Sequence, residues 1–299
     1  MKKIIPPALL LFLAPLWLLG QVVPFPQSAT QSPSFAWWRA IDIDDGPTRE
    51  DIFNALLDDI TSVATIGYKA LPVTSIGQPD GSDEPYFLEQ GSLVGGVFTD
   101  FAIEGLGFFR LQSPSGDTFY TRAGNFRLNT EGFVVSQQGY QLMPPLQLNR
   151  TQTNIFTDEQ SRLFVPIAGS FDSQQIYHFE LWLPANGAAV ERDGVNFTFS
   201  SAYQVNLPEE GSVVHSHSLE LSTTNTVEAL VAMMATLHEL RREQADESNL
   251  FAANTIDFDF KIYMVDFLLR EYARSSGDLA DLRRFERMVR GVAGQLTFN

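Results

Sequence analysis

Cysteine is absent from this chain of 299 residues. A disulfide, a thiolate zinc site, an iron–sulfur cluster and a cysteine nucleophile are therefore all excluded. Redox compartment stays open, because a disulfide-free protein is allowed on either side of a membrane. Histidine is scarce: His178, His215, His217 and His238 are the whole supply. Positive charge is also short, with 20 Lys and Arg against 36 Asp and Glu and a net charge of −16. Phosphate recognition needs clustered cations, so this balance argues against a nucleic-acid binder. It argues equally against docking on an anionic membrane surface. Apolar residues are not lacking. At 44% hydrophobic and 12% aromatic, the chain can bury a core and is not mainly disordered.

Long hydrophobic runs are missing except at the start. Lys2 and Lys3 precede an uncharged run from Ile4 to Gly20. That run is shorter than the ~20 residues a spanning helix needs, and Pro6, Pro7 and Pro15 interrupt it. A secretory signal peptide fits better than a permanent anchor. An uncleaved anchor stays open, because Leu18 is large for a cleavage site. Membrane contact is then expected only through residues 1–20 and only if they are retained. Residues 21–47 are rich in Pro, Gln and Ser and read as a linker, with Trp37 and Trp38 pinned onto something apolar. Asp42, Asp44, Asp45 and Gly46 lack EF-hand spacing and read as a solvated turn.

The folded part divides into three. Residues 48–85 form a helical arm and connection. Thr48 is a capping residue, Glu50 and Asp51 occupy the first turn, and Ile52, Phe53, Leu56, Leu57, Ile60 and Val63 recur at helical spacing up to Gly67. Residues 86–222 hold short alternating or aromatic runs between turn signals such as Ser113-Pro-Ser-Gly116-Asp117, Asn129–Gly132 and Asn186-Gly187. They read as an all-β domain with Phe108, Phe109, Tyr120, Phe126 and Phe133 in its core. Residues 223–299 return to helix. Asn225 and Glu228 have capping-box spacing, and Val227, Leu230, Val231, Met234 and Leu237 make one apolar face. Two further helices are predicted over about 258–272 and 278–292. The fold class is mainly β with flanking α: a central all-β domain with packed N- and C-terminal helical arms, since neither stripe is buried alone.

A search for chemistry returns little. No phosphate-binding loop, dinucleotide fingerprint, zinc-protease helix or nucleophile elbow is present. His215 and His217 alternate as strand neighbours do, so two imidazoles would share a face for a metal. A solvent-facing strand pair satisfies the same sequence, and no acidic pair is spaced to complete the site. His238 reads as a helix-boundary residue. Asp58-Asp59 and Glu209-Glu210 read as solvated carboxylates. No catalytic residue, cofactor or metal is expected.

One ordered set of segments carries a resemblance. Phe101-Ala-Ile-Glu-Gly-Leu-Gly-Phe-Phe109 resembles a segment of flagellar rod and hook proteins, and Tyr120-Thr-Arg-Ala-Gly-Asn-Phe126 is similar to the one that follows it. Leu128-Asn129, Glu131-Gly132 and Gly139-Tyr140 match a third, and Gln90-Gly91-Ser92-Leu93 an upstream one. Asp58 to Lys69 is similar to the N-terminal signature, with Asp58, Asp59 and Ser62 where the family has Asn. Leu219 to Glu228 resembles the C-terminal signature more loosely. The order is the family's, over roughly residues 48–245, and the distal rod type is nearest.

The resemblance implies a structural role in the basal body, with no catalysis and no cofactor. It implies N- and C-terminal helices packed together along an axial tube and a β domain outside contacting neighbours. Partners would be other rod, hook or basal-body proteins, or further copies of the chain, in the periplasm or the flagellar basal body. The candidate interaction surface is Ile52, Leu56, Ile60, Leu230, Val231 and Met234; its alternative is an intramolecular core. Four features depart from the family: the signal-like start, the linker, the helices after about residue 245, and the Asp58-Asp59 pair, which adds charge where neighbouring subunits should meet. They leave a second reading open, a secreted periplasmic binding module derived from the rod-protein fold and outside the filament axis. In that reading the extra helices cap the surface that rod subunits use to polymerise.

Overall fold

The computed structural model describes residues 48–70, 88–207, 211–247 and 253–298. All of them lie within one unit, Pro47–Asn299. The signal-like segment, the linker with Trp37 and Trp38, the Asp42–Gly46 patch and Glu209-Glu210 fall outside the described residues.

Helix α1 spans Arg49–Ile60. Thr48 starts it with a capping box: its hydroxyl accepts from Asp51 N at 3.1 Å, and the Asp51 carboxylate accepts from Thr48 N at 2.9 Å. The reciprocal pair satisfies two otherwise orphaned amides. The helix stops at Ile60, short of the Gly67 limit that the apolar period alone predicts. The reason is local. Thr61 Oγ1 turns back onto Asp58 O at 2.9 Å, Ser62 N bonds Asp59 O at 3.1 Å, and Thr65 N bonds Ser62 O at 3.0 Å. The Thr61 hydroxyl competes for a helix carbonyl, and the Ser62 and Thr65 amides bond three residues back instead of four, so tight turns replace the helical ladder. Val63 and Ile66 stay buried in those turns.

Sixteen strands lie between Leu93 and Glu220 among the described residues. The largest sheet runs β12 (Val190–Asp193), β13 (Asn196–Phe199), β4 (Thr118–Thr121), β3 (Phe108–Gln112), β7 (Gln141–Met143), β6 (Val134–Val135) and β5 (Arg127–Leu128). Strand β11 (Leu181–Pro184) also pairs with β3, and with β14 (Ala202–Gln204) on its other side. Strands β8 (Phe156–Thr157), β9 (Arg162–Pro166) and β10 (Ser173–His178) form a smaller sheet. Two antiparallel pairs complete the set: β1 (Leu93–Gly95) with β16 (Ser218–Glu220), and β2 (Phe101–Glu104) with β15 (Val213–Ser216). Phe108, Phe109, Tyr120 and Phe126 sit in the core with Phe101, Phe179 and Phe197, whereas Phe133 is only half-buried. Tilted and edge-on rings dominate, as at Phe101–Phe179 with centroids 4.9 Å apart.

Three helices follow: α2 (Thr226–Glu247), α3 (Ala253–Tyr272) and α4 (Leu279–Leu296). Asn225 accepts from Glu228 N at 3.3 Å, and its amide donates to the Glu228 carboxylate at 3.0 Å. Asp278 caps α4 through Asp281 N at 2.8 Å. Helix α1 lies against α2, α2 against α3, α3 against α4, and α4 returns to α1. Phe298, just beyond α4, reinforces the return. Its backbone N and O meet the Asn54 side chain at 3.1 and 3.0 Å, and its ring meets Phe53 edge-on at 5.2 Å.

Candidate functional site: a buried ionic junction

The two histidines that strand alternation would place on one face are not brought together. His217 has a φ of 55°, which takes it out of the extended backbone and ends the alternation that would have put it beside His215. His215 Nε2 instead meets Glu104 Oε2 at 2.7 Å, while His217 Nε2 faces Thr153 O at 3.3 Å. No metal-binding group of His, Cys, Asp and Glu occurs among the described residues. His238 is exposed. Asp58 is exposed, but Asp59 is buried and accepts from the Tyr68 hydroxyl at 2.8 Å, so the pair is not a uniformly solvated one.

The six residues of the candidate interaction surface divide. Ile52, Leu56, Ile60 and Leu230 are buried inside the chain, at 6% exposure or less. Val231 and Met234 are half-buried on α2.

The most organised polar cluster was not singled out in the sequence. Glu220, the last residue of β16, is fully buried and accepts from two cations. Lys69 Nζ meets its Oε1 at 2.6 Å and Arg122 Nε meets its Oε2 at 2.7 Å. Gly91 N adds a third donor to Oε1 at 2.8 Å. Arg122 then spends its remaining N–H groups on carbonyls. Nη1 donates to Gly105 O at 2.9 Å and Gly107 O at 2.7 Å, and Nη2 to Ile103 O and to Gln90 Oε1, each at 3.0 Å. Lys69 Nζ also donates to Glu89 O.

Backbone contacts draw the same segments together. Gly67 N donates to Glu220 O at 2.8 Å and Thr223 N to Tyr68 O at 3.1 Å. Gly67 has a φ of +66°, and a Cβ there would stand 2.3 Å from Ala123 N. A Cβ on Gly124 would stand 1.6 Å from Phe101 O. Neither neighbour has room to yield, so main chain packs directly on main chain at both points.

The signal for this junction was present. Lys69 closes the first resembling segment, Gln90-Gly91 opens the second, Gly105 and Gly107 lie in the third, Arg122 in the fourth and Glu220 in the last. Five stretches spread over about 150 residues converge on one carboxylate, Lys69 and Glu220 being 151 positions apart. Each ion stands in a Gly-rich or apolar run, where a buried charge must find a partner. Partner identity is what a linear reading cannot supply.

Burial acts on the titration of these groups. Desolvation pushes the Lys69 ammonium below the ordinary lysine value; Glu220 opposes the shift and the neighbouring Arg122 adds to it. The Tyr68 hydroxyl is pushed up by burial and by the negative charge of Asp59. Asp58 is raised by desolvation, partly offset by Arg192. The cluster offers no exposed nucleophile or open coordination position. What it can do chemically is fasten backbone segments together.

Residues 102–161 match the family model of the flagellar hook protein FlgE/F/G D1 domain. Curated relatives include the flagellar basal-body rod protein FlgG of Caulobacter vibrioides, 27% identical over 191 residues, which is 62% of this chain and 66% of that protein. The FlgG of Borreliella burgdorferi is 28% identical over 56% of this chain and 65% of its own length. The flagellar hook protein FlgE of Brucella abortus is 35% identical over 104 residues, 30% of this chain and 26% of that protein. The match thus spans 58% to 66% of the length of the first rod-protein relatives.

Proposed function

We propose that this chain, a divergent member of the flagellar rod and hook protein family, is a structural or accessory component of the bacterial flagellar basal body. It acts through protein–protein contacts and not as an enzyme. The carrying observation is the junction at Glu220, where the segments that resemble the family are fastened to one another in space. A fastening of that kind makes a stiff unit from helical arm and β domain, which a load-bearing subunit requires. Partners are other rod, hook or basal-body proteins, or further copies of the chain. Val231 and Met234 on α2 are the part of the candidate surface still accessible to them. Residues 1–20 would direct the chain to the periplasm.

The experiment is an immunoblot of purified hook–basal bodies beside soluble periplasm from the native cell. Recovery in the basal-body fraction at rod-like abundance supports the reading. Recovery only in soluble periplasm overturns it.

One observation favours a second reading, a secreted periplasmic module built on the rod-protein fold. The C-terminal helices close over α1 within the same chain, with Phe298 on Phe53 and Glu286 accepting from Ala64 N at 2.9 Å. A chain that covers its own helical arm has less surface left for a polymer. The same fractionation separates the two.

A further inference from the structure

Charge is distributed unevenly over this acidic chain. Against a net charge of −16, helix α4 carries Arg283, Arg284, Arg287 and Arg290 with only Asp281 and Glu286 in opposition. Arg283, Arg287 and Arg290 follow one another at intervals of four and three residues and so share one helix stripe. All three are exposed, while Leu282, Phe285 and Val289 form the buried face of the same helix. Among the described residues, Arg283 and Arg287 have no ion pair.

The stripe ends at a cleft. Arg290 stands on its rim, held by Glu286 at 2.6 Å and by its own Nε donating to Thr61 O at 3.0 Å. The cleft has a volume of about 380 Å³ and is walled by the turn after α1 and by turns of the β domain. Among the described residues, no acidic one lines it. Ser62, Thr65, Asn125 and Gln138 line it with hydroxyl and amide groups that make no side-chain hydrogen bond among the described residues.

We propose that cleft and stripe together form a docking site for an extended acidic polypeptide segment of a partner protein. Neutral hydroxyls and amides match the alternating donors and acceptors of an extended backbone. The stripe spans about 10 Å along α4 at 1.5 Å per residue. Side chains two apart on an extended chain are about 6.6 Å apart, so two or three alternating carboxylates cover it. Arginine suits planar carboxylates in paired hydrogen bonds. An anionic bilayer fits less well, because the apolar face of α4 is committed to the interior and leaves nothing to insert. The proposal deepens the structural role by stating the chemistry of a partner, and rests on that role only for where the partner is found.

The test uses the full chain and a fluorescein-labelled twelve-residue peptide alternating Glu with Ser, read by anisotropy. A Gln-for-Glu version of the peptide and phosphatidylglycerol vesicles run beside it. The Glu peptide is expected to bind with an affinity that falls with added salt, and the Gln peptide at least tenfold more weakly. Arg283→Glu combined with Arg287→Glu should weaken binding at least tenfold with an unchanged melting temperature. Gln138→Glu, which puts a charge into the cleft from an exposed turn, should weaken it severalfold. Equal binding of both peptides, indifference to the arginine changes, or binding to vesicles but not to peptide would each overturn the proposal. Failure here leaves a basal-body location standing, and failure of that location leaves the peptide site standing.

Discussion

Among the attachments that hold helix α1 and the turns after it, two use different physics. Beyond its C-terminal end, Lys69 and Arg122 share one buried carboxylate, with side chains 0% to 3% exposed. At its middle, Asn54 and Phe53 hold Phe298 through two neutral hydrogen bonds and one ring contact at a half-exposed site. Lys261 supports that clasp by donating to Leu296 O at 2.8 Å and to Gln295 O and Thr297 O at 3.2 and 3.1 Å. The buried ionic junction is close to all-or-none at Glu220, because removing the shared carboxylate strands both cations without water. The part of the clasp made by Asn54 and Phe298 is more graded: both residues are half-buried, so their contacts open locally at lower cost. One joins the segment after α1 to the strands; the other helps to keep the C-terminal helices closed over α1, beside the Glu286–Ala64 and Arg290–Thr61 bonds.

The strongest way to break this contrast is at Glu220. Replacing it with Ala leaves Lys69 and Arg122 buried and uncompensated, and should destabilise the chain by ~3–5 kcal/mol in urea denaturation. A loss below about 1 kcal/mol would make the two attachments equivalent and remove the distinction. Lys69→Met should cost less, roughly 1–3 kcal/mol, because one cation and one carboxylate remain paired. Its pH dependence has a definite sign. The folded lysine value lies below the unfolded one, so the unfolded chain binds more protons between them. Wild-type stability therefore gains from this group as pH rises from the folded value toward the ordinary lysine value, and Lys69→Met lacks that gain. The gap between the two should widen through that window.

The clasp gives a middle-sized effect. Asn54→Ala removes both bonds to the Phe298 backbone and should cost about 1–2 kcal/mol; Phe298→Ala keeps those bonds, takes the ring off Phe53 and should cost about 1–3 kcal/mol. Hydrogen exchange should speed up in α4 and α1 while strands β3 and β4 stay protected. Equal acceleration in those strands would mean that the clasp is part of the global core.

Legibility follows the same division. Thr48 and Asn225 stand where helices start, because a cap is a local event between residues three apart. Strand turns such as Ser113–Asp117 were readable for the same reason, with Ser113 N bonding Asp117 O at 2.9 Å. The end of α1 is not legible, because an apolar period says nothing of where backbone bonds tighten from four residues to three. The junction was half legible. Its residues lay inside the resembling segments, but the pairing of Lys69 with Glu220 depends on a tertiary path. His217 misled for the opposite reason, since a single positive φ breaks a strand period that composition cannot show to be broken.

The smallest expected effect tests the turn between the two attachments. Asp58 is exposed, yet desolvation raises its carboxyl above the ordinary value, with Arg192 only partly opposing. A raised carboxyl means that the folded state holds the proton more tightly than the unfolded one. The contribution to stability is therefore present below the unfolded value and is lost as pH rises through the folded value. At neutral pH the carboxylate is a small burden on the fold. Asp58→Asn keeps the shape, removes the charge and should stabilise the chain at pH 7 by no more than about 0.5 kcal/mol, the usual range for an exposed site. The gain should vanish in acid, where both side chains are neutral. The same substitution restores the residue type of the family signature at this position. A gain that persists unchanged at low pH would trace to the amide's own hydrogen bonds and not to charge, and would separate this turn from the electrostatics of the junction beside it.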